Sequence, residues 1–281
     1  ITPTQNTLWD IQFVRGTTGG VIYAVGLGGT VLCSAVTPLQ LRTWTGGFDS
    51  LWTSGGNWNP SGVPEKLDSV YIPITAVSPV LLGTTQQINL AALRITPGAK
   101  LTIGSGLAQL IVKNSTVIDG TLQIDPASTL EIWASGSFIV GPTGAFSTAK
   151  TTVMMLSTGQ VRGTFNNLFI GDGSDIQSLG NVTVKKNLTL LSTFSLRSTD
   201  TLMILNPDPQ AFQGYGIVGA GTIKRALRQG SREQFRFESP VTYLQFYPNG
   251  IMPDTVTMTV RPNSLPADLS DTVYVRRTYF V

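Results

Sequence analysis

At 281 residues and 30.0 kDa the chain is long enough to bury a sizeable core, as one large all-β domain or as two to three smaller ones. Charged residues make up 12% of it, against ~25% in an ordinary globular chain, while 30 Gly and 16 Pro among many Thr, Ser, Leu and Val supply a vocabulary of sheets and turns. The formal charge of +3 comes from 19 Lys plus Arg against 16 Asp plus Glu spread along the chain. The densest basic cluster is Lys224, Arg225, Arg228, Arg232 and Arg236; it is no phosphate-neutralising block, so nucleic acid is not an expected partner.

Cys33 is the sole cysteine, which rules out a disulfide or a cysteine metal site within the chain. A disulfide-free chain stabilised by a repetitive core suits an exported bacterial protein. The sequence begins at Ile1, without an initiator Met or a signal-like apolar stretch, and is expected to be a processed or excised piece of something longer. No run approaches the ~18 apolar residues of a membrane helix, so membrane insertion is not expected.

Gly, Pro and β-branched residues interrupt every candidate helical window, and apolar residues alternate with polar ones. The expected fold is therefore all-β, in four segments. Residues 1–41 contain LWDIQFVRGTTGGVIYAVGLGGTVLCS, read as two alternating strands, a Gly-rich turn and a third strand after Gly28-Gly29. Through Trp9, Ile11, Phe13, Tyr23, Ala24, Val25, Gly26, Gly28, Gly29, Thr30, Val31 and Leu32 it resembles one repeat of the propeller family with photosystem-II assembly-factor-like and sialidase-type repeats. A single repeat cannot close a propeller, which needs at least ~4 blades.

Residues 42–79 hold Trp44, Trp52 and Trp58 among glycines and asparagines and close on the strand Ser69-Val70-Tyr71-Ile72-Pro73. With Gly46, Asn57, Gly62, Pro64 and Asp68, these residues resemble the aromatic cap that precedes β-helices in large secreted bacterial surface proteins. Such a cap hides the last apolar layer and the unpaired edge of a solenoid.

Residues 80–227 form a ladder of short alternating strands: 92–95, 100–103, 110–112, 120–124, 128–132, 137–140, 167–170, 181–184, 187–190, 201–204 and 221–223. Short, nearly regular spacing with Gly, Asn, Asp or Pro between strands predicts the rungs of a parallel β-helix, an antiparallel sandwich being the alternative. The phrases PGAKLTI, DGTLQI, NVTVKKNLTL and STDTLMILN resemble secreted right-handed β-helices. In residues 228–281 the strands lengthen (234–237, 242–247, 255–261, 272–280) around turns at Pro248-Asn249-Gly250 and Pro262-Asn263-Ser264, predicting a partial β-sandwich that is expected either to continue in further residues or to be completed by another molecule's strand. This segment resembles the module that follows β-helices in Bacteroidetes-type surface proteins, cargo of a type IX-like secretion route.

The chain has no histidine, which removes the commonest general base and transition-metal ligand. Cys33, on an apolar strand, is read as a small buried hydrophobe. Asp119, Asp125, Glu131, Asp172, Asp175 and Asp200 fall in separate turns or outward strand positions, and Gly171-Asp172-Gly173-Ser174-Asp175 reads as a plain turn rather than a calcium loop. No catalytic residue, metal or cofactor is expected. Trp44, Trp52, Trp58 and Trp133 are candidates for stacking on a sugar ring; the alternative places the first three in the cap and Trp133 in or along the solenoid. The tripeptides Asp49-Ser50-Leu51, Asp68-Ser69-Val70, Asp200-Thr201-Leu202, Asp254-Thr255-Val256 and Asp271-Thr272-Val273 resemble the O-glycosylation acceptor of Bacteroidetes-type exported proteins, which makes Ser50, Ser69, Thr201, Thr255 and Thr272 candidate acceptors. The same pattern also arises wherever a short strand begins with Asp-Thr.

The expected function is that of an extracellular structural or adhesive surface protein and not an enzyme. Self-association is expected through the N-terminal strands and the C-terminal sheet edge, with surface glycans as further partners. A polysaccharide-binding or lyase-like β-helix and a phage fibre or tailspike segment are the alternatives.

Overall fold

The computed structural model describes residues 8–16, 19–26, 30–36, 40–81, 87–147, 150–246, 252–262 and 277–280. The chain divides into two compact units, Ile1–Gln40 and Leu41–Val281. The first is a three-stranded antiparallel meander of Leu8–Gly16, Gly19–Gly26 and Thr30–Val36, paired in sequence order. Gly16 pairs with Gly19 across a connection short enough to be a hairpin. Ala24 is buried in its middle strand, whereas Val25 and Val31 face outward.

The second unit is a parallel β-solenoid of about seven turns, with almost no helix. Two columns of stacked strands carry most of it. In one, Ile88, Leu110, Ile132, Val153, Leu168, Leu188 and Phe212 are aligned from rung to rung, and Leu90, Val112, Ala134, Met155, Ile170 and Leu190 run beside them. In the other, Val70, Leu93, Thr116, Phe138 and Val161 stack and are followed by Ser178, while Val182, Leu202 and Ile223 stack beyond a register shift that pairs Val182 with Gly163. A four-stranded parallel sheet with Leu101 over Leu122 over Phe146 forms a third side. Strand alternation sends every second residue inward, so stacking in register merges these residues into one apolar core from Trp44 to Val260.

Coil length decides which residues stack. Gln87, Gln109 and Glu131 are separated by 22 residues each, Thr152 and Asn167 by 15, and Asn167 and Asn187 by 20. The shortest step includes the strand Thr151–Met155, in a stretch where the alternation pattern marks no strand. At one corner the rungs approach so closely that a Cβ on Gly136 would lie 1.5 Å from the Asn114 carbonyl oxygen, and Gly159 sits against Gly136 in turn. Glycine is required there for space.

The cap strands belong to the same sheet. Leu41–Trp44 pairs with Ser69–Ile72, and Ser69–Ile72 with the strand Gln87–Ile95, all parallel, so the tryptophan-rich segment forms the first turns of the coil. At the other end Thr255–Pro262 pairs antiparallel with Gly221–Ala226, and Arg277–Phe280 pairs antiparallel with Thr255–Pro262. This C-terminal sheet continues the 16-stranded sheet of the solenoid, while the short pair Phe235–Arg236 and Tyr243–Leu244 stands beside it. The turn at Pro248-Asn249-Gly250 and most of the turn after Pro262 lie outside the described residues.

Two substitutions probe the coil. Thr116 is fully buried between Leu93 and Phe138 in an apolar column, and its hydroxyl has no hydrogen-bond partner. Thr116→Val removes an unsatisfied buried polar atom at nearly constant shape and is expected to raise unfolding free energy by about 1–3 kcal/mol, measured by chemical denaturation. Gly136→Ala is expected to lower it by at least the ~1–3 kcal/mol of ordinary overpacking, and an unchanged denaturation midpoint would contradict the corner geometry.

Candidate functional site

The cap tryptophans are not sugar-stacking platforms. Trp44, Trp52 and Trp58 are 0%, 4% and 3% exposed, and their rings pack edge to face, with Trp58 5.0 Å from Trp44 and 4.7 Å from Trp52. Trp44 Nε1 donates to the Val77 carbonyl and Trp58 Nε1 to that of Trp52, so both the ring faces and the polar handles are already used. The loop around them is organised by the buried amide of Asn57. Its Oδ1 accepts from the Phe48 and Asp49 backbone N–H groups, and its Nδ2 donates to Asp49 Oδ1 and the Leu51 carbonyl.

The candidate acceptor hydroxyls lie where strands begin. Ser69, Thr201 and Thr255 are the first residues of Ser69–Ile72, Thr201–Ile204 and Thr255–Pro262. Ser50, Ser69 and Thr201 are half-buried, Thr255 is exposed, and Thr272 lies outside the described residues. The preceding aspartates have structural work of their own. Asp68 is buried and takes the Arg42 guanidinium at 3.1 Å together with the Glu65 N–H. Asp200 is buried and accepts the Ser178 hydroxyl at 2.6 Å. Asp49 accepts from Ser54 Oγ and the Leu51 N–H. The side chain of Cys33 is outside the described ones.

Among the described residues, no group of three or more Asp, Glu, Cys or His side chains could hold a metal ion. In the Gly171–Asp175 turn, Asp172 accepts from the N–H of Gly173 and Ser174 Oγ donates to the Gly171 carbonyl.

Trp133 lies elsewhere, half-buried on the outward side of the strand Leu130–Ala134. Register places it in an outward column that reads Asn89, Ile111, Trp133, Met154, Phe169, Thr189 and Gln213 across successive rungs. Its centre is an apolar stripe of half-buried Trp133, Met154 and Phe169, next to Ile111, which is buried. Two residues away along each strand runs a polar column of Gln87, Gln109, Glu131, Thr152, Asn167 and Asn187. The amides are linked as a ladder: Gln87 Nε2 to Gln109 Oε1 at 3.3 Å, Gln109 Nε2 to Glu131 Oε2 at 3.1 Å, and Asn187 Nδ2 to Asn167 Oδ1 at 3.2 Å. Trp133 Nε1 joins it by donating to Glu131 Oε2 at 3.0 Å.

Each end of this face opens into a cleft. At the cap end, a cavity of about 260 Å³ is lined by Gln87, Ile88 and Asn89 with Trp52, Val63 and Glu65. At the other end, one of about 590 Å³ is lined by Gln213 with Gln210, Glu233, Gln234, Tyr243 and Gln245. In the lining of the second cleft the Arg236 guanidinium lies 4.2 Å from the Phe212 ring centre and donates to the Gly214 and Gly216 carbonyls. Burial pulls its pKa down to about 10, so it is still charged at neutral pH. The sequence left Trp133 either free to stack on a sugar or packed in or along the solenoid; the structure puts it half-buried on the outward side, beside Met154, with Phe169 beyond.

One protein family matches this chain: a domain of unknown function (DUF8693), over residues 43–156, which span the tryptophan cap and the coil as far as the strand Thr151–Met155. No curated protein and no solved structure matches the chain.

The cap carries a pH prediction. Hydrogen bonds from Ser54 Oγ, and further ones from the Leu51 N–H and the Asn57 amide, outweigh desolvation and hold the Asp49 carboxyl below its usual range. A depressed carboxyl stabilises the fold fully above its unfolded pKa, and that stabilisation is lost as pH falls through the folded value. Acidification below the ordinary carboxylate range should therefore loosen the cap, seen as a change in tryptophan fluorescence. Asp49→Asn should remove part of that pH dependence; an identical acid profile in the variant would refute the assignment.

Proposed function

We propose that the chain is a structural and adhesive module of an extracellular surface protein, not an enzyme. Its solenoid serves as a stiff spacer, and its sheet ends and outward face serve as contact surfaces. The observation that carries this reading is the single apolar core running from Trp44 to Val260 through every rung, with a tryptophan cap at its start and antiparallel strands at its end. A coil stabilised by nearest-neighbour stacking along its whole length resists local opening, which suits a spacer exposed to proteases.

Among the described residues Arg277–Phe280 stands at one end of the 16-stranded sheet. An edge strand is a template for a further strand, which supports self-association at this end; the N-terminal meander offers a second pair of edges. The resemblance of the Asp-Ser/Thr tripeptides to O-glycosylation acceptors supports export.

Two measurements test the reading. The intact mass of the protein from its native source should exceed the chain mass by hexose units localised to Ser50, Ser69, Thr201, Thr255 or Thr272. Sedimentation velocity should show assembly that grows with concentration and shrinks when residues 277–281 are removed. An unmodified protein that stays monomeric at high concentration would refute the proposal.

A further inference from the structure

We infer that the outward face running from Asn89 to Gln213 is a binding site for a linear, uncharged polysaccharide lying along the solenoid axis. The inference rests on the adhesive reading above and names the chemistry of the ligand.

The first ground is the pairing of two columns. A sugar ring is amphipathic in a directional way, with C–H bonds on its faces and hydroxyls around its edge. The half-buried stripe of Trp133, Met154 and Phe169 suits the faces, because an aromatic ring presents a negative quadrupole to C–H bonds. The amide column suits the edge. Each Gln or Asn side chain has two N–H donors and an oxygen with two lone pairs, and the ladder bonds of Gln109 and Asn167 consume only part of that capacity. Gln109 keeps one N–H and one lone pair for a ligand hydroxyl, which can both donate and accept.

Charge is the second ground. The two columns contain one ionisable side chain, Glu131, whose Oε2 already accepts from Gln109 and Trp133. A polyanion finds no row of cations here and a polycation no row of carboxylates, so the complementary polymer is neutral. Length is the third. Neighbouring strands are ~4.8 Å apart, so the column from Asn89 to Gln213 extends on the order of 30 Å, a polymer-sized track rather than a monosaccharide pocket.

The clefts at its two ends share residues with the columns and continue the track. Both open onto residues of this face, Gln87 and Asn89 at one end and Gln213 at the other. In the larger one, whose lining also carries the opposite charges of Glu233 and Arg236, Gln210, Gln213 and Gln234 bring three exposed amides beside the half-exposed ring of Tyr243. An array of amides with an aromatic flank repeats on a concave surface the chemistry of the ladder and stripe.

The test is affinity electrophoresis of the whole chain through gels containing a neutral glucan, mannan or galactan, with a polyuronate as comparator. Retardation is expected on at least one neutral polymer and should persist at roughly 0.5 M salt, where charge attraction is screened within a few ångströms. Trp133→Ala and Gln213→Ala should each weaken it about tenfold. Thr102→Ala, outward on the separate four-stranded sheet, should leave it unchanged. Thermal unfolding of each variant separates lost binding from lost fold, and the exposed Gln213 provides a probe that carries no core packing. Absence of retardation on all neutral polymers, retardation that survives both substitutions, or retention by the polyuronate alone that vanishes in salt would each overturn the inference. These results leave the native mass and the self-association untouched, so failure of the ligand assignment is distinguishable from failure of the surface-protein reading.

Discussion

In a parallel coil each rung has to deliver its apolar side chains to the same azimuth as the rung before it. A rung that misses leaves a void on one side and an exposed hydrophobe on the other, and the error is handed to the next turn. Here the columns through Leu110, Ile132 and Val153 and through Leu93, Thr116 and Phe138 meet that requirement although the coil length varies. Corners absorb the variation. Where two turns come within contact distance, as at Asn114, Gly136 and Gly159, only hydrogen fits in place of a side chain. Phe138, Phe146 and Phe165 then fill the interior beside those corners, with ring centres 5.4 to 6.3 Å apart.

A solenoid satisfies its own backbone everywhere except at its ends, and the two ends solve the problem with different chemistry. The start uses aromatic bulk: three interlocked indoles lie under a loop held by one buried, fully hydrogen-bonded asparagine. The other end uses buried cations. Arg225 is completely enclosed, and its guanidinium donates to the carbonyls of Asp208, Pro209 and Arg236 while lying 5.3 Å from the Phe235 ring centre. Burial, with a contribution from nearby Arg236, lowers its pKa to about 10, and Asp208 opposes the shift. The charge therefore persists at neutral pH, compensated by main-chain dipoles rather than by a salt bridge. An arginine in this position acts as a strap, joining the final parallel rung to the loop around Pro209 and to the strand Phe235–Arg236.

With the interior filled by hydrocarbon, contact with other molecules falls to the sheet edges and the outer faces. Those faces differ in kind. The column around Trp133 combines an apolar stripe with an amide ladder, whereas the pairs Arg42–Asp68 and Arg94–Asp119 belong to other parts of the surface, the first largely buried and the second loose at 3.9 Å. Concentrating hydrogen-bonding capacity and apolar area along one line, between two clefts, is a consequence of register alone. No loop has to be placed to assemble it.

Much of this architecture is legible in the residues themselves. Period-two alternation bounded by Gly, Asn and Asp marks Lys100–Ile103, Thr121–Ile124, Ser137–Val140 and Thr201–Ile204 as half-buried strands, and their repetition implies a solenoid. The clustering of Trp44, Trp52 and Trp58 near the start marks a cap. Alternation also specifies which side of a strand faces inward. It carries no information about lateral neighbours. That Trp133 lies beside Met154, and Met154 beside Phe169, depends on the number of residues in each coil, which is 21 from Glu131 to Thr152, 15 from Thr152 to Asn167 and 20 from Asn167 to Asn187. Local pattern determines the faces of a strand because side-chain direction is a property of one backbone; the composition of a surface spanning seven rungs is decided only when the coils stack.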